Sequence, residues 1–349
     1  MLSKPQKKVN TGSILGVAGI CAGTIFAVHK LLGNASLPGF SLHDKTVLLT
    51  GGSRGFGLTM AREFGSRGAR LALTARDGTE LQRACDLLAK DGIEARAFTA
   101  DLTKPDEINS LLEQVIGHFG SIDVLVNNAG HISVGSLDSF THQDYEDAMN
   151  LMFWAPVNLT FAVLPHMRSR QAGRIVNITS IGGRVSIPHL LPYSCAKFAF
   201  VGFSTGLGAE LKRNRIEVLT VVPGLMRTGS YLNAEFKGAA KEEFAWFGIL
   251  GNLPGFSVAA DYAAASVRVA LETGQQICTI SLPAKVLAAI EGFAPEVNRT
   301  ILGLADRFVL PYSNKMGSQS GKALNPSLNA LFQGLTQLGK LAAVRLNEF

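Results

Sequence analysis

The chain has 349 residues, 47% hydrophobic and only 17% charged, a balance that excludes global disorder and suffices for one large α/β domain or two small ones. Its net charge of +6 suits an anionic cofactor or an anionic membrane surface, and the absence of a Lys/Arg-rich run interleaved with aromatics argues against nucleic acid. Cys21, Cys85, Cys195 and Cys278 are far apart, with no C-x-x-C pair and no histidine at ligand spacing; no metal site and no disulfide framework is expected, only reduced cysteines packed as small hydrophobes.

In chain order, Lys4, Lys7 and Lys8 precede a largely uncharged stretch from Val9 to Val28. Its strictly apolar part falls short of the roughly 20 residues a spanning helix needs; extension to Leu32 reaches that length but takes in His29 and Lys30. Gly12/Gly16 and Gly19/Gly23 repeat a spacing that lets membrane helices approach closely. Residues 1–40 are therefore read as an N-terminal apolar helix and linker, with 9–32 a candidate membrane anchor or interfacial helix. A cleaved targeting segment and a helix packed on the protein itself are the alternatives.

From residue 41 to 285 the pattern changes. Apolar, β-rich runs at Thr46–Thr50, Arg70–Thr74, Ala95–Thr99, Ile122–Val126, Arg174–Thr179, Ile216–Val222 and Ile277–Leu282 alternate with helix-length segments. Such alternation predicts βαβ units: an α/β fold of the Rossmann type, with a doubly wound parallel seven-stranded sheet and helices on both faces. Residues 286–349 predict a helical C-terminal extension. Val297, Ile301, Leu304, Ala305 and Phe308 form one apolar stripe, and Leu328, Leu331, Phe332, Leu335, Leu338 and Ala342 a second. Both are expected to dock on the sheet domain or a partner subunit, with membrane-surface binding the alternative.

The first strand runs into Thr50-Gly51-Gly52-Ser53-Arg54-Gly55-Phe56-Gly57 and then a helix. Glycines at 51, 55 and 57 permit a tight turn that brings backbone N–H groups at a helix N-terminus to a pyrophosphate. The second strand ends in Ala75-Arg76, where NAD sites place an acid for the ribose 2′-hydroxyl. A guanidinium there can instead pair with a 2′-phosphate, and Arg54 offers a second positive charge, so NADP(H) is the expected cofactor.

With these residues the chain resembles the single-domain branch of the short-chain dehydrogenase/reductase family over about 43–285. The resemblance rests on T-G-G-S-R-G-F-G at 50–57, Asp101 after the third strand and Asn127-Asn128-Ala129-Gly130 after the fourth. Asn150, Ser180, Tyr193-x-x-x-Lys197, and Pro223-Gly224 with Thr228 continue it in order. It implies that Asp101 lies near the adenine, Asn128 to Gly130 beside the cofactor ribose and Thr228 near the nicotinamide amide, with Leu102, Pro223 and Gly224 also cofactor-binding. Phe56 stands where the family often has Ile or Leu. The resemblance is silent on the first 40 and the last 65 or so residues.

Tyr193 and Lys197, four apart on a helix, share a face. A nearby ammonium would lower the phenol's pKa and make Tyr193 a usable acid and base, while Lys197 also binds the nicotinamide ribose. Ser180 would polarise a substrate carbonyl, and Asn150 would hold a water against Lys197 to complete a proton relay. Cys195, between them, has no nearby histidine to activate it and is read as a packing residue. The expected activity is NADPH-dependent interconversion of a carbonyl and a secondary alcohol. The alternative is a cofactor-binding scaffold or sensor with little turnover.

The segment 225–256 is rich in large apolar residues: Met226, Tyr231, Leu232, Phe236, Phe244, Trp246, Phe247, Leu250 and Phe256. It is either a lid helix packed on the core or the wall of a pocket for a bulky apolar substrate of lipid, steroid, retinoid or acyl type. The flanking lysines favour a cytosolic N-terminus with the enzyme on the other side. NADPH is most available in the cytosol, and interfacial attachment to the cytoplasmic face reconciles the two. A homo-oligomer, dimer or tetramer, is expected.

Overall fold

A computed structural model describes residues 39–348; the 9–32 segment lies outside the described residues. All seven apolar runs are strands of one parallel sheet: β1 Thr46–Thr50, β2 Arg70–Ala75, β3 Ala95–Thr99, β4 Val124–Asn127, β5 Gly173–Ile178, β6 Ile216–Pro223 and β7 Ile277–Ile280. Their order across the sheet is β7-β6-β5-β4-β1-β2-β3. The last strand stops two residues early because Ser281 caps the next helix, its side chain accepting from the Ala284 N–H at 3.3 Å.

The helices are α1 Gly55–Gly65, α2 Gly78–Lys90, α3 Pro105–Phe119, α4 His142–Met149, α5 Ala155–Arg170, α6 Leu191–Glu210, α7 Ala240–Asn252 and α8 Ala260–Glu272. Then come α9 Leu282–Phe293, α10 Pro295–Phe308, α11 Ala330–Leu335 and α12 Gln337–Arg345. β1 is buried along its whole length, as expected of a strand covered on both faces. On one face Leu49, Leu58, Phe64, Leu71, Val267 and Leu271 pack α1 and α8 on the sheet. On the other, Leu48, Leu112, Val115, Leu159 and Val163 do the same for α3 and α5. Each such side chain removed from water contributes about 1.5–3 kcal/mol. Among the described residues, one helical run, 142–170, is long and apolar enough to cross a membrane; here it lies on the sheet and buries Leu159, Val163 and Met167.

Strand order reverses between β1 and β4, and a crevice opens outside the carboxyl ends of such a sheet at that point. The segment after β6 closes the crevice from above. There Leu232, Phe236 and Phe244, fully or nearly buried, form a third core with Val134 and Phe332.

The C-terminal stripes fare differently: the first does not dock on the sheet domain, and the second docks in a different phase from the one expected. On α10, Val297, Ile301, Leu304 and Phe308 are exposed, at 48–71%. Over α11 and α12 the docked face is Phe332, Thr336, Gly339, Ala343 and Leu346, while Leu331, Leu335 and Leu338 face outward. Small residues decide the phase. Ala343 sits on Gly229 and Gly339 on Asn252, so close that a side-chain carbon added at either glycine would collide.

Candidate active site

The crevice is a cavity of about 880 Å³. Its floor begins at the glycine turn. Gly51 and Gly55 have φ of +64° and +56°, which side chains disfavour. At Gly57 a side chain would strike the Gly51 carbonyl. The Thr50 hydroxyl donates to the Val126 carbonyl at 3.2 Å and accepts from the N–H groups of Asn128 and Ala129 at 2.8 and 3.0 Å. The Asn128 amide donates back to the Thr50 and Gly51 carbonyls at 2.9 and 3.2 Å. Asn128 thus braces the turn against the end of β4.

Gly51, Ser53, Arg54, Gly55, Phe56, Gly57, Arg76, Asp101, Leu102, Asn128, Ala129, Gly130, Pro223, Gly224 and Thr228 all line this cavity, as do Ser180, Tyr193 and Lys197. Arg76 is exposed at the rim. Burial works against ionisation of Asp101, but hydrogen bonds from Thr103 and the charges of Arg76 and Lys104 hold its carboxyl below the usual range.

At the catalytic end, Ser180 follows β5 and its Oγ accepts from the Gly182 N–H at 3.0 Å. The Tyr193 ring and the Ser180 hydroxyl lie side by side over Gly182, and the hydroxyl favours the ionised form of the phenol. A side chain at Gly182 would press on the Tyr193 ring at 3.1 Å, so glycine is what lets the ring lie there. Lys197 is 4% exposed; its Nζ donates to the Ile178 carbonyl at 2.9 Å and lies 5.8 Å from the Tyr193 ring centre. Burial pushes the Lys197 ammonium down to about 8. The phenol departs from the sequence expectation: burial raises its pKa, and the opposing influence is the Ser180 hydroxyl rather than the charge of Lys197. The lysine's proton is engaged by the Ile178 carbonyl.

Asn150 opens a π-helical turn, Asn150–Trp154, where α4 meets α5, and its carbonyl accepts the Ala155 N–H. Such turns are rare and concentrate at functional sites. Its side chain is exposed and not among the cavity-lining groups, and no direct hydrogen bond joins it to Lys197 among the described residues. Cys195 is also exposed, not packed, because it falls on the outer face of α6 between the inward Tyr193 and Lys197.

Sequence reasoning missed two acids. Glu80 accepts from the Ser53 hydroxyl and, at 2.6 Å, from Arg54 Nη1. Glu348 reaches the same guanidinium, at 3.9 Å from Arg54 Nε. Arg54 is therefore not the free second cation expected. Glu80 reads in the sequence as a first-turn acid after the cap Asp77, which accepts its N–H at 2.9 Å. Nothing in the sequence points it at a turn 27 residues earlier.

Beyond Tyr193 the cavity is apolar, walled by Ile187, Leu190, Met226, Trp246, Phe247, Leu250, Phe256 and Leu287. The two readings of 225–256 divide it between them: Leu232, Phe236 and Phe244 are core, Met226, Trp246, Leu250 and Phe256 are pocket. The lining fits a dinucleotide: a glycine-rich turn at a helix N-terminus, a rim arginine, and half-buried Ser180 and Tyr193 beside buried Lys197.

Fold and site together define an oxidoreductase that works with a nicotinamide dinucleotide. Residues 45–235 match the profile of the family described as short chain dehydrogenase, and the chain belongs to that family. Over 187 residues it is 37% identical to a putative ketoacyl reductase of Streptomyces coelicolor, covering 53% of this chain and 72% of that protein. It is 35% identical to a 3-ketodihydrosphingosine reductase of Bacteroides thetaiotaomicron, over 54% of this chain and 66% of that one. Among solved structures, a variant of actinorhodin polyketide ketoreductase with NADPH superposes with a TM-score of 0.60 at 29% identity, covering 68% of this chain and 95% of that one.

Proposed function

We propose that this protein is an NADP(H)-dependent reductase that interconverts a bulky, apolar carbonyl compound and its secondary alcohol. The observation that carries the reading is that Ser180, Tyr193 and buried Lys197 line one cavity together with the glycine turn and an apolar wall. A nicotinamide held beside Lys197 would supply hydride to the carbonyl carbon. Tyr193 donates its proton to the oxygen as it becomes an alkoxide, and recovers it in the reverse direction. Ser180 holds that oxygen with its hydroxyl. Lys197 anchors the ribose, and Asn150, at its π-turn, holds a water that relays protons to Lys197. Arg76 pairs with the 2′-phosphate; Asp101 and Leu102 flank the adenine, and Thr228 the nicotinamide amide.

Substrates of lipid type are favoured by the apolar wall and by the likeness to a 3-ketodihydrosphingosine reductase. α9 lines the cavity with Pro283, Ala284 and Leu287, while its exposed side, with Leu282, Val286 and Phe293, continues onto the bare stripe of α10. That surface supports association with the cytoplasmic face of a membrane, as the 9–32 segment would. Exposed Trp154 and Phe161 on and before α5, with Phe198 on α6, support a homo-oligomer. The test is a panel of ketones of graded apolarity followed by NADPH absorbance. Turnover should rise with acyl-chain length; a preference for short polar ketones would reject the apolar assignment.

A further inference from the structure

The segment Leu346–Glu348 lies across the first turn of α1. The Leu346 carbonyl accepts the Gly55 N–H at 2.9 Å. The Asn347 amide donates to the Ser53 and Glu80 carbonyls at 2.9 and 3.1 Å. The Glu348 carboxylate stands over Gly55, so that a side chain on that glycine would strike it. It lines the dinucleotide cavity and is 3% exposed. The Asn233 amide donates both to its backbone carbonyl, at 3.1 Å, and to its carboxylate. Leu346 and Ala343 are fully buried behind it, so the segment is anchored.

The helix it covers lacks partners of its own. α1 has no acid in its first turn, and its N-cap residue, Arg54, makes no side-chain capping bond. The free N–H groups and the positive end of the helix dipole call for an anion or an acceptor. Residues 346–348 supply both, at the place where a pyrophosphate would draw on the same groups.

We propose that Leu346–Glu348 is an internal ligand of the phosphate-binding turn, which closes the cofactor-free site and must be displaced when a dinucleotide binds. This rests on the cofactor reading above. The Glu348 carboxyl group and a pyrophosphate cannot occupy the same space over Gly55, and the Gly55 N–H is already taken by the Leu346 carbonyl. Docking therefore lowers the apparent affinity for cofactor by the fraction of chains that are closed.

Acidity supports the same view. Burial pushes the Glu348 carboxyl up to about 7, against the opposing charges of Arg54 and Lys322 and with a further push from Glu80. The docked form thus holds its proton more tightly than a free glutamate, and docking weakens as pH rises through the interval up to about 7. Above that value it does not weaken further.

The experiment is a titration of the full chain with NADPH, read by nicotinamide fluorescence, together with hydrogen exchange across 340–348. Leu346→Asp, which puts a charge where the segment is buried, should lower Kd for NADPH about tenfold. Asn347→Ala removes three hydrogen bonds, those to the Ser53 and Glu80 carbonyls and the one from Arg83, and no core contact, so it keeps the test open should Leu346→Asp unfold; it should lower Kd severalfold. NADPH should strip protection from the Leu346 and Glu348 amides in the wild-type chain. Unchanged or weaker binding by both variants, or amides that gain protection with NADPH, would overturn the proposal. If neither wild type nor variants bind any nicotinamide dinucleotide, the cofactor reading fails first and this proposal with it.

Discussion

The two ends of the cavity are built on opposite plans. At one end, Ser180 after β5 and Tyr193 and Lys197 on α6 stand together, with Ser180 held by the Gly182 N–H and Lys197 by the Ile178 carbonyl. At the phosphate end, Arg54 is held by Glu80 and approached by Glu348, and the first N–H of α1 is already taken. On the proposed reading, one end holds its reacting groups in place, while the other is satisfied internally until a ligand arrives, so cofactor affinity depends on what the chain gives up.

That contrast can be broken at either end. The largest effect is expected at Lys197. Lys197→Met should cut turnover by about 10²–10⁴-fold, measured by NADPH oxidation. The same change should stabilise the cofactor-free protein at pH 7, because a desolvated ammonium is removed. The sign follows from a folded-state pKa near 8, below the ordinary lysine value: the penalty is complete below pH 8 and fades as pH climbs toward 10.5. The Tm difference between variant and wild type should thus shrink between pH 8 and 10.5; a constant difference would mean that the charge is not the cause. Next comes Arg76→Asp, expected to move the NADPH/NADH preference by about 10–100-fold, the worth of one charge-assisted bond to a phosphate. Equal kcat/KM ratios in variant and wild type would make Arg76 a bystander. The smallest effect is expected from Glu80→Gln, which frees Arg54 from a full charge and should tighten NADPH severalfold by fluorescence titration. Weaker binding would show that Glu80 instead supports the turn.

Much of this is readable from residues. Seven apolar runs between helix-length segments imply the sheet, since strands buried on both faces must be apolar throughout. The glycines at 51, 55 and 57 and the four-residue spacing of Tyr193 and Lys197 mark the two ends of the site. What is not legible depends on contacts between distant segments. Glu80 looks like an ordinary first-turn acid, and Glu348 like a polar residue after a helix; only the fold brings them to Arg54. The phase of α11 and α12 escapes the sequence because packing there follows Gly339 and Ala343, whose small size permits contact, and not the larger leucines. The pKa direction of Tyr193 cannot be read from spacing either, because it depends first on burial, which the fold alone decides.

The central claim, that Tyr193 carries the proton in a hydride transfer between cofactor and carbonyl, is tested most directly by Tyr193→Phe. NADPH affinity and turnover should be measured on the same preparation, with a ketone that the wild type reduces. The account predicts turnover lower by about 10²–10⁴-fold with the Kd for NADPH nearly unchanged. Turnover within a few-fold of wild type would contradict it.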